Sequence, residues 1–426
     1  MHTPATTTAP IAVVGAGAAG LVAAVFAAGQ GSPVSVFERT ADGGRKILIS
    51  GGGRCNILPS ALDPSRYVSD SAPHLVRRLL RSWPLAGQRE FFEKRAGLPL
   101  RLEPDTGKLF PVSDRARDVR DRLVRLAREA GAEFRFGTGV AGLEPRRGSL
   151  PWMVRLETGE AVPARAVILA SGGLSVPSTG SDGLGLEIAT RLGHTVHPTY
   201  PALTPLVADP PRHATLSGMS LDVTITAPLG HRNVVSAGGF LFTHRGYSGP
   251  AVLDISHLAV RSQIAGASPQ PLYVRWSPLD PRAWDLELST GRAVVGSILR
   301  RHLPARLAEA LMREADVPGA RHASTLRRDE RRRLVERLTR YPLPWTGHEG
   351  YRKAEVTGGG VALEELEPRT LESRIQPGLF LCGEILDAFG PIGGHNFAWA
   401  WATGRTAGLG AAAHVTGIIS ADLRRR

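Results

Sequence analysis

From Ile11 to Glu38 the chain reads IAVVGAGAAGLVAAVFAAGQGSPVSVFE, and no other stretch restricts the fold so sharply. A four-residue apolar run meets glycines spaced at 15, 17 and 20, a helix-length apolar stretch ends at glycine, and a second strand pattern stops on an acid. The spacing predicts a strand, a tight turn, a helix and a parallel strand. Gly15 permits the turn, Gly17 lets backbone approach a pyrophosphate, and Gly20 lets helix and strand pack closely. The helix starting at Ala18 and Ala19 offers unpaired N–H groups and a positive dipole end to phosphates. Glu38, eighteen residues after Gly20, is placed to accept from ribose hydroxyls and to repel a 2′-phosphate. The unit predicts dinucleotide binding without choosing between a nicotinamide and a flavin.

At 426 residues the chain exceeds the roughly 250–300 at which single cores stop growing, so two or three domains are expected. The texture supports this. Prolines at 198, 201, 205, 210 and 211 introduce short strand patterns, LDVTITAPLG, NVVSAGGFLFTH and PLYVRWS. After Pro281 the pattern is helical, and near Arg352 strand and glycine chemistry resumes. The expected architecture is α/β: a discontinuous dinucleotide-binding domain over 1–195 and 346–426, an inserted mostly β domain over 196–280, and a helical domain over 281–345. The apolar opening has no Lys or Arg before it and runs into a second strand, so it reads as buried core rather than as a leader or membrane span. A soluble, cytoplasmic protein is expected. Two cysteines, Cys55 and Cys382, with no CxxC and no Cys/His cluster of metal spacing, predict neither a disulfide scaffold nor a metal site. Of the 52 basic residues only four are lysine, so the net charge of +13 is an arginine bias spread along the whole chain. Its densest run, LRRDERRRLVERLTR, is interleaved with acids and reads as a solvated helix face.

Further motifs narrow the cofactor. Arg39, Gly44, Arg45 and Ser50 resemble the second glycine doublet of glutathione-reductase-type flavoproteins, and GLFLCGE at Gly378–Glu384 resembles their third motif, which brings an acid to the ribityl chain. Then SGGGRCN at Ser50–Asn56, SGGLSVPSTGSDGLGLEIATRLGHTV at Ser171–Val196, LFTHRGYSGPAVLDIS at Leu241–Ser256, AEVTGGGV at Ala354–Val361 and GLFLCGEILDAFGPIGGHNFAWAWATG at Gly378–Gly404 resemble the BaiN-like bacterial flavoproteins, in order and over nearly the whole chain. The chain departs from that pattern at Ile57-Leu58, Cys382 and His395–Ala398, which marks a divergent branch. The resemblance implies a split Rossmann-type FAD domain with noncovalent FAD, an inserted barrel-like β domain and a small helical domain.

It also implies site residues. Gly393 and Gly394 open a helix from Asn396 whose N-terminus points at the pyrimidine end of the flavin and stabilises negative charge there. Gly383, Glu384 and Asp387 are placed for the ribityl and phosphate groups. Lys46, Gly53, Arg54, Cys55 and Asn56 flank the glycine loop, Val140 contacts adenine through its backbone, and Ser171 and Gly172 follow a buried strand. Cys55 reads as a small buried hydrophobe rather than a redox thiol. Hydride addition to an unsaturated carbonyl also needs a proton donor, and His395, His244 and Arg245 are the candidates. The expected activity is NAD(P)H-dependent reduction of an enone-like small molecule, with nicotinamide visiting the flavin transiently. The alternatives are an oxygen-dependent, aminoacetone-like amine oxidase and, from another class, an RNA-binding or RNA-modifying flavoprotein. No specific nucleic acid, no membrane and no particular oligomer is expected.

Overall fold

The computed structural model describes residues 9–147 and 151–417. The chain divides into two compact units, Met1–Tyr200 with Val356–Arg426, and Pro201–Glu355.

The first unit is built on a five-stranded parallel sheet in the spatial order Leu379–Leu381, Ala166–Leu169, Ile11–Val14, Val34–Glu38, Ala132–Phe136. Every residue of Ile11–Val14 is buried, as expected of a central strand covered on both faces. The helix Ala18–Ala28 follows, and nine of its eleven residues are buried. That explains why it is apolar all round instead of striped. It packs against the long C-terminal helix His395–Thr416. The crossing is close because of two glycines: a Cβ on Gly404 would run into the carbonyl of Ala19, and one on Gly408 into that of Ala23. The amphipathic helix Ala116–Glu129 covers the sheet from Val119, Leu123 and Leu126. Between Leu75 and Ala130, a stretch dominated by helices, the chain also forms a hairpin, Leu100–Glu103 with Lys108–Pro111. Its PDTG turn is a proper hairpin signal set between two four-residue alternations.

The second unit holds a seven-stranded antiparallel sheet, ordered Tyr341–Pro342, Tyr273–Arg275, Ser220–Leu229, Arg232–Phe242, Gly246–Ser248, Leu206–Val207, Gly347–His348. The three strand patterns found in the sequence are its centre. Its two edges, Pro342 and Gly347, are only five residues apart in the chain, a span of at most about 18 Å. Seven strands laid flat would separate them by about 29 Å, so the sheet must curl toward closure. A helix the sequence reading did not single out, Pro250–Ile264, packs on this sheet. The helical stretch after Pro281 shares the sheet's hydrophobic core: Trp284, Leu299 and Leu334 are buried with Phe240, Tyr247 and Trp276.

Candidate functional site

The carboxyl ends of the parallel strands bring the separate motifs of the first unit together. Ile11–Val14 delivers the glycine turn, Val34–Glu38 delivers Glu38, Ala166–Leu169 delivers Ser171, and Leu379–Leu381 delivers Glu384. In an open parallel sheet this edge is where ligands bind.

The glycine turn has the local geometry its spacing predicted. Gly15 sits at φ +100°, and a Cβ there would lie 2.6 Å from the carbonyl oxygen of Ala170. Gly20 faces the carbonyl of Gly15 with no room for any side chain. At Gly17 nothing lies within 4 Å of where a Cβ would stand, so the middle glycine leaves an open approach to backbone. Glu38 is buried and fixed at both oxygens: Oε2 accepts from the Ala16 N–H at 2.7 Å, and Oε1 accepts from the Thr40 N–H at 2.8 Å and the Thr40 hydroxyl at 2.7 Å. Arg39 turns away to pair with Glu157 and Asp182. Gly44, at φ +63°, lies against the side chain of Arg120, and Arg45 pairs with Asp42 at 3.2 Å. Val140 is buried at the start of its strand.

A second cluster surrounds Glu384. Lys46 Nζ lies 2.6 Å from Glu384 Oε2 and donates to Ser175 Oγ at 2.6 Å. Ser175 Oγ donates to Glu384 Oε1 at 2.5 Å, and Thr357 adds its N–H and hydroxyl to the same oxygen, both at 3.0 Å. Ser175 and Thr357 were not singled out as site residues. The signal for both lay inside the quoted motifs SGGLS and VTGGG. Gly172 is at φ +77°, with Ser181 Oγ against its open side.

The loop Ser50–Gly53 turns through left-handed glycines and ends on Cys55, itself at φ +61° and fully buried. Burial pushes the Cys55 thiol up to about 12, against a smaller opposing effect from Ser50, so it stays protonated at neutral pH. Ser50 Oγ donates to the Ile47 carbonyl at 2.7 Å. Arg54 stacks over Phe110, 4.1 Å from the ring centroid, and pairs with Glu103 at 3.2 Å, both from the hairpin.

The N-terminus of His395–Thr416 closes this region. Gly394, at φ +93°, packs on Leu58 and Asn56. Asn396 accepts from the Gly390 N–H at 2.9 Å and donates to the Gly390 carbonyl at 3.0 Å, which fixes the loop leading into the helix. Tyr67 donates to the His395 carbonyl at 2.8 Å and lies edge-on to the His395 ring. Burial pushes His395 down to about 4, helped by Arg66, so the imidazole is neutral at neutral pH. Burial pushes the Tyr67 phenol up, which keeps its proton in place. Asp387, fully buried, is occupied within the protein: one oxygen accepts from Ser69 Oγ, the Asp70 N–H, and the N–H and hydroxyl of Ser71 at 2.7 to 2.9 Å. His244 and Arg245 lie in the second unit, exposed between the strands Arg232–Phe242 and Gly246–Ser248. Among the described residues no His, Cys, Asp or Glu grouping could hold a metal ion, and no helix is long and apolar enough to cross a membrane.

The residues present fit a flavin dinucleotide. Asn56 Oδ1, Ser171 Oγ and His395 Nδ1 are buried without a hydrogen-bond partner, and all three belong to the motifs that converge here. Gly17 supplies the open backbone that a pyrophosphate needs.

Comparison with known proteins bears on the family and the fold. A family model described as the HI0933-like protein Rossmann domain matches residues 9–410. The chain is 33% identical over 405 residues to the ribosomal RNA dihydrouridine synthase of Escherichia coli (strain K12), covering 92% of this chain and 95% of that protein. It is also 33% identical over 417 residues to the 3-dehydro-bile acid delta(4,6)-reductase of Clostridium scindens, covering 94% and 98%. Among solved structures it resembles the Mycobacterium smegmatis Sdh1 complex in the apo form, with a TM-score of 0.50, 19% identity, and coverage of 96% of this chain and 69% of that one. That last likeness concerns the fold alone.

Proposed function

This chain belongs to the HI0933-like family of FAD-dependent oxidoreductases, and from that premise we propose that it reduces a carbon–carbon double bond conjugated to a carbonyl, with NAD(P)H as the electron source. The observation that carries this reading is the chemistry common to the two relatives. Dihydrouridine is uridine with the ring double bond beside a carbonyl saturated, and a delta(4,6)-reductase acting on a 3-dehydro substrate hydrogenates double bonds in line with a ketone.

FAD, when bound, supplies the hydride chemistry. The protein's own residues supply the rest. Glu38 holds the ribose end, the glycine turn opens backbone N–H groups to the pyrophosphate, and the Lys46–Glu384 pair with Ser175 and Thr357 offers donors and acceptors to the ribityl chain. The N-terminus of His395–Thr416 places a positive dipole end where negative charge collects. A proton must reach the carbon beside the carbonyl. We assign the proton to the Tyr67 hydroxyl, which stands at the same helix start, donates to the His395 carbonyl at 2.8 Å, and would turn from that carbonyl to serve the substrate.

Of the two acceptors, we put a uracil base in RNA first. A net charge of +13 suits a polyanionic substrate, and two of the relatives, those of Escherichia coli and Haemophilus influenzae, are ribosomal RNA dihydrouridine synthases. A small cyclic enone is the second reading, favoured by the equal identity to the reductase. Anaerobic addition of NADPH and NADH to the flavin-loaded protein, then of an unmodified RNA or a panel of cyclic enones, tests both. The RNA reading expects flavin bleaching, and reoxidation by RNA with uridines gaining two hydrogens. Bleaching followed by reoxidation only with enones selects the second reading, and a flavin that no nicotinamide or enone affects removes both.

A further inference from the structure

The second unit carries a cleft that the redox reading leaves unused. It is lined from the edge strand Tyr341–Pro342 and its neighbour Tyr273–Arg275, the end of the helix Ala305–Glu314, and the last turns and C-terminal cap of the helix Arg328–Thr339. It encloses about 420 Å³, in the range of small-ligand sites. Three arginines, Arg333, Arg337 and Arg340, line it together with Glu314 and Glu336.

The charges are not equally available. Glu314 is turned into the core, with Oε1 3.2 Å from His213 Nε2 and Oε2 accepting from the Tyr341 hydroxyl at 2.9 Å. Arg333 donates to Asp329 at 2.9 Å and to the Ala315 carbonyl at 3.3 Å. Upstream, Arg331 pairs with Asp285, and Arg321 and Arg327 with Glu330, while among the described residues Arg328 and Arg332 are exposed without a carboxylate partner. The solvated-face reading therefore accounts for the first turns of this helix. It does not account for the last ones. Among the described residues neither Arg337 nor Arg340 has a carboxylate partner, and both lie on aromatic rings: Arg340 is 3.9 Å from the centroid of Tyr273, and Arg337 is 5.9 Å from that of Tyr341. Arg337 stands in the last turn of the helix and Arg340 is the residue that caps it. A guanidinium held over a ring still has N–H groups to give to a phosphate. Glu336, exposed on the same turn, is the carboxylate left to oppose them.

We propose that this cleft binds the phosphodiester backbone of single-stranded RNA, with Arg337 and Arg340 each neutralising a phosphate. The inference rests on the RNA reading of the substrate, but its test is one of binding, independent of turnover. Fluorescence anisotropy of the full-length protein with a labelled oligouridine strand, over a series of KCl concentrations, measures it. Arg337→Ala with Arg340→Ala should weaken binding by about tenfold or more at moderate salt and flatten the slope of log K against log salt by about 1.4, two contacts at ~0.7 each. Arg337→Lys with Arg340→Lys should keep the slope while still losing affinity, because charge remains and the guanidinium is gone. Arg332→Ala, exposed on the same helix and outside the cleft, should leave affinity nearly unchanged. Wild-type slope in the double alanine variant overturns the cleft and leaves the RNA reading standing, since RNA would then bind elsewhere. No salt-sensitive RNA binding by the wild type overturns both. Displacement of the RNA by inorganic pyrophosphate as readily as by unlabelled RNA of equal phosphate content would mean a site for free phosphates, and also overturns the proposal.

Discussion

Glu38 performs three tasks with one carboxylate: it holds the Ala16 N–H, the Thr40 N–H and the Thr40 hydroxyl. Charge-assisted bonds to an ionised acid contribute about 1.5–3 kcal/mol each. Glu38→Gln is therefore expected to weaken FAD binding by one to two orders of magnitude, read as flavin retained after dialysis and by flavin titration. Cys55 makes the opposite prediction. With its thiol at about 12 and fully buried, it should resist thiol reagents in the native state at neutral pH and react only on unfolding, and Cys55→Ala should retain bound FAD. His395 and His257 are both pushed down to about 4 by burial, the first with help from Arg66 and the second from Arg261. A histidine held below its unfolded value of about 6.5 is neutral in the fold, so the unfolded chain binds more protons between the two values. Stability should be fully present above about pH 6.5 and fall as the pH drops toward 4, a loss that a pH series of thermal unfolding detects and that His257→Gln should reduce. At this scale the sequence was informative where a residue's neighbours are near in the chain, as at Gly15, Gly20 and Glu38. It was silent where they are remote, as for Asp387, one oxygen of which is bonded to Ser69, Asp70 and Ser71 some 317 residues away.

The helix His395–Thr416 shows what an element adds. Its apolar, glycine-interrupted sequence reads as buried, but which neighbour it meets depends on Gly404 and Gly408 touching the carbonyls of Ala19 and Ala23. Gly404→Ala should force the two helices apart and cost about 1–3 kcal/mol, seen as a lowered melting temperature together with weaker FAD binding, because both helices begin at the site. The hairpin Leu100–Pro111 is the converse case. It interrupts a stretch dominated by helical periodicity, its strands are four residues each, and its stability comes from Arg54 on Phe110 and pairing to Leu58–Pro59, contacts no local pattern announces.

Among the described residues of the molecule two separate hydrophobic cores form, one in each compact unit. A ligand that binds only one folded unit stabilises that unit by mass action. Added FAD is expected to raise the unfolding transition reported by flavin fluorescence while leaving a transition reported by Trp276 and Trp284 near its original position, which separate probes in one denaturant titration would resolve. The sequence by itself determined the parallel-sheet unit with its glycine turn and acid, the flavoprotein motifs in their order, and the insertion of a different texture near residue 195. Those signals are local: backbone conformation, periodicity and close approach act over a few residues and leave their mark in composition. Only the tertiary structure decided which distant groups complete the site, with Ser175 and Thr357 around Glu384 and Tyr67 on the start of the last helix. It also decided that the helices after Pro281 join the core of the curled sheet, and that Arg337 and Arg340 lie over the rings of Tyr341 and Tyr273. Side-chain hydrogen bonds and ion pairs depend on positions in space, and a pair hundreds of residues apart has no spacing by which a sequence can announce it.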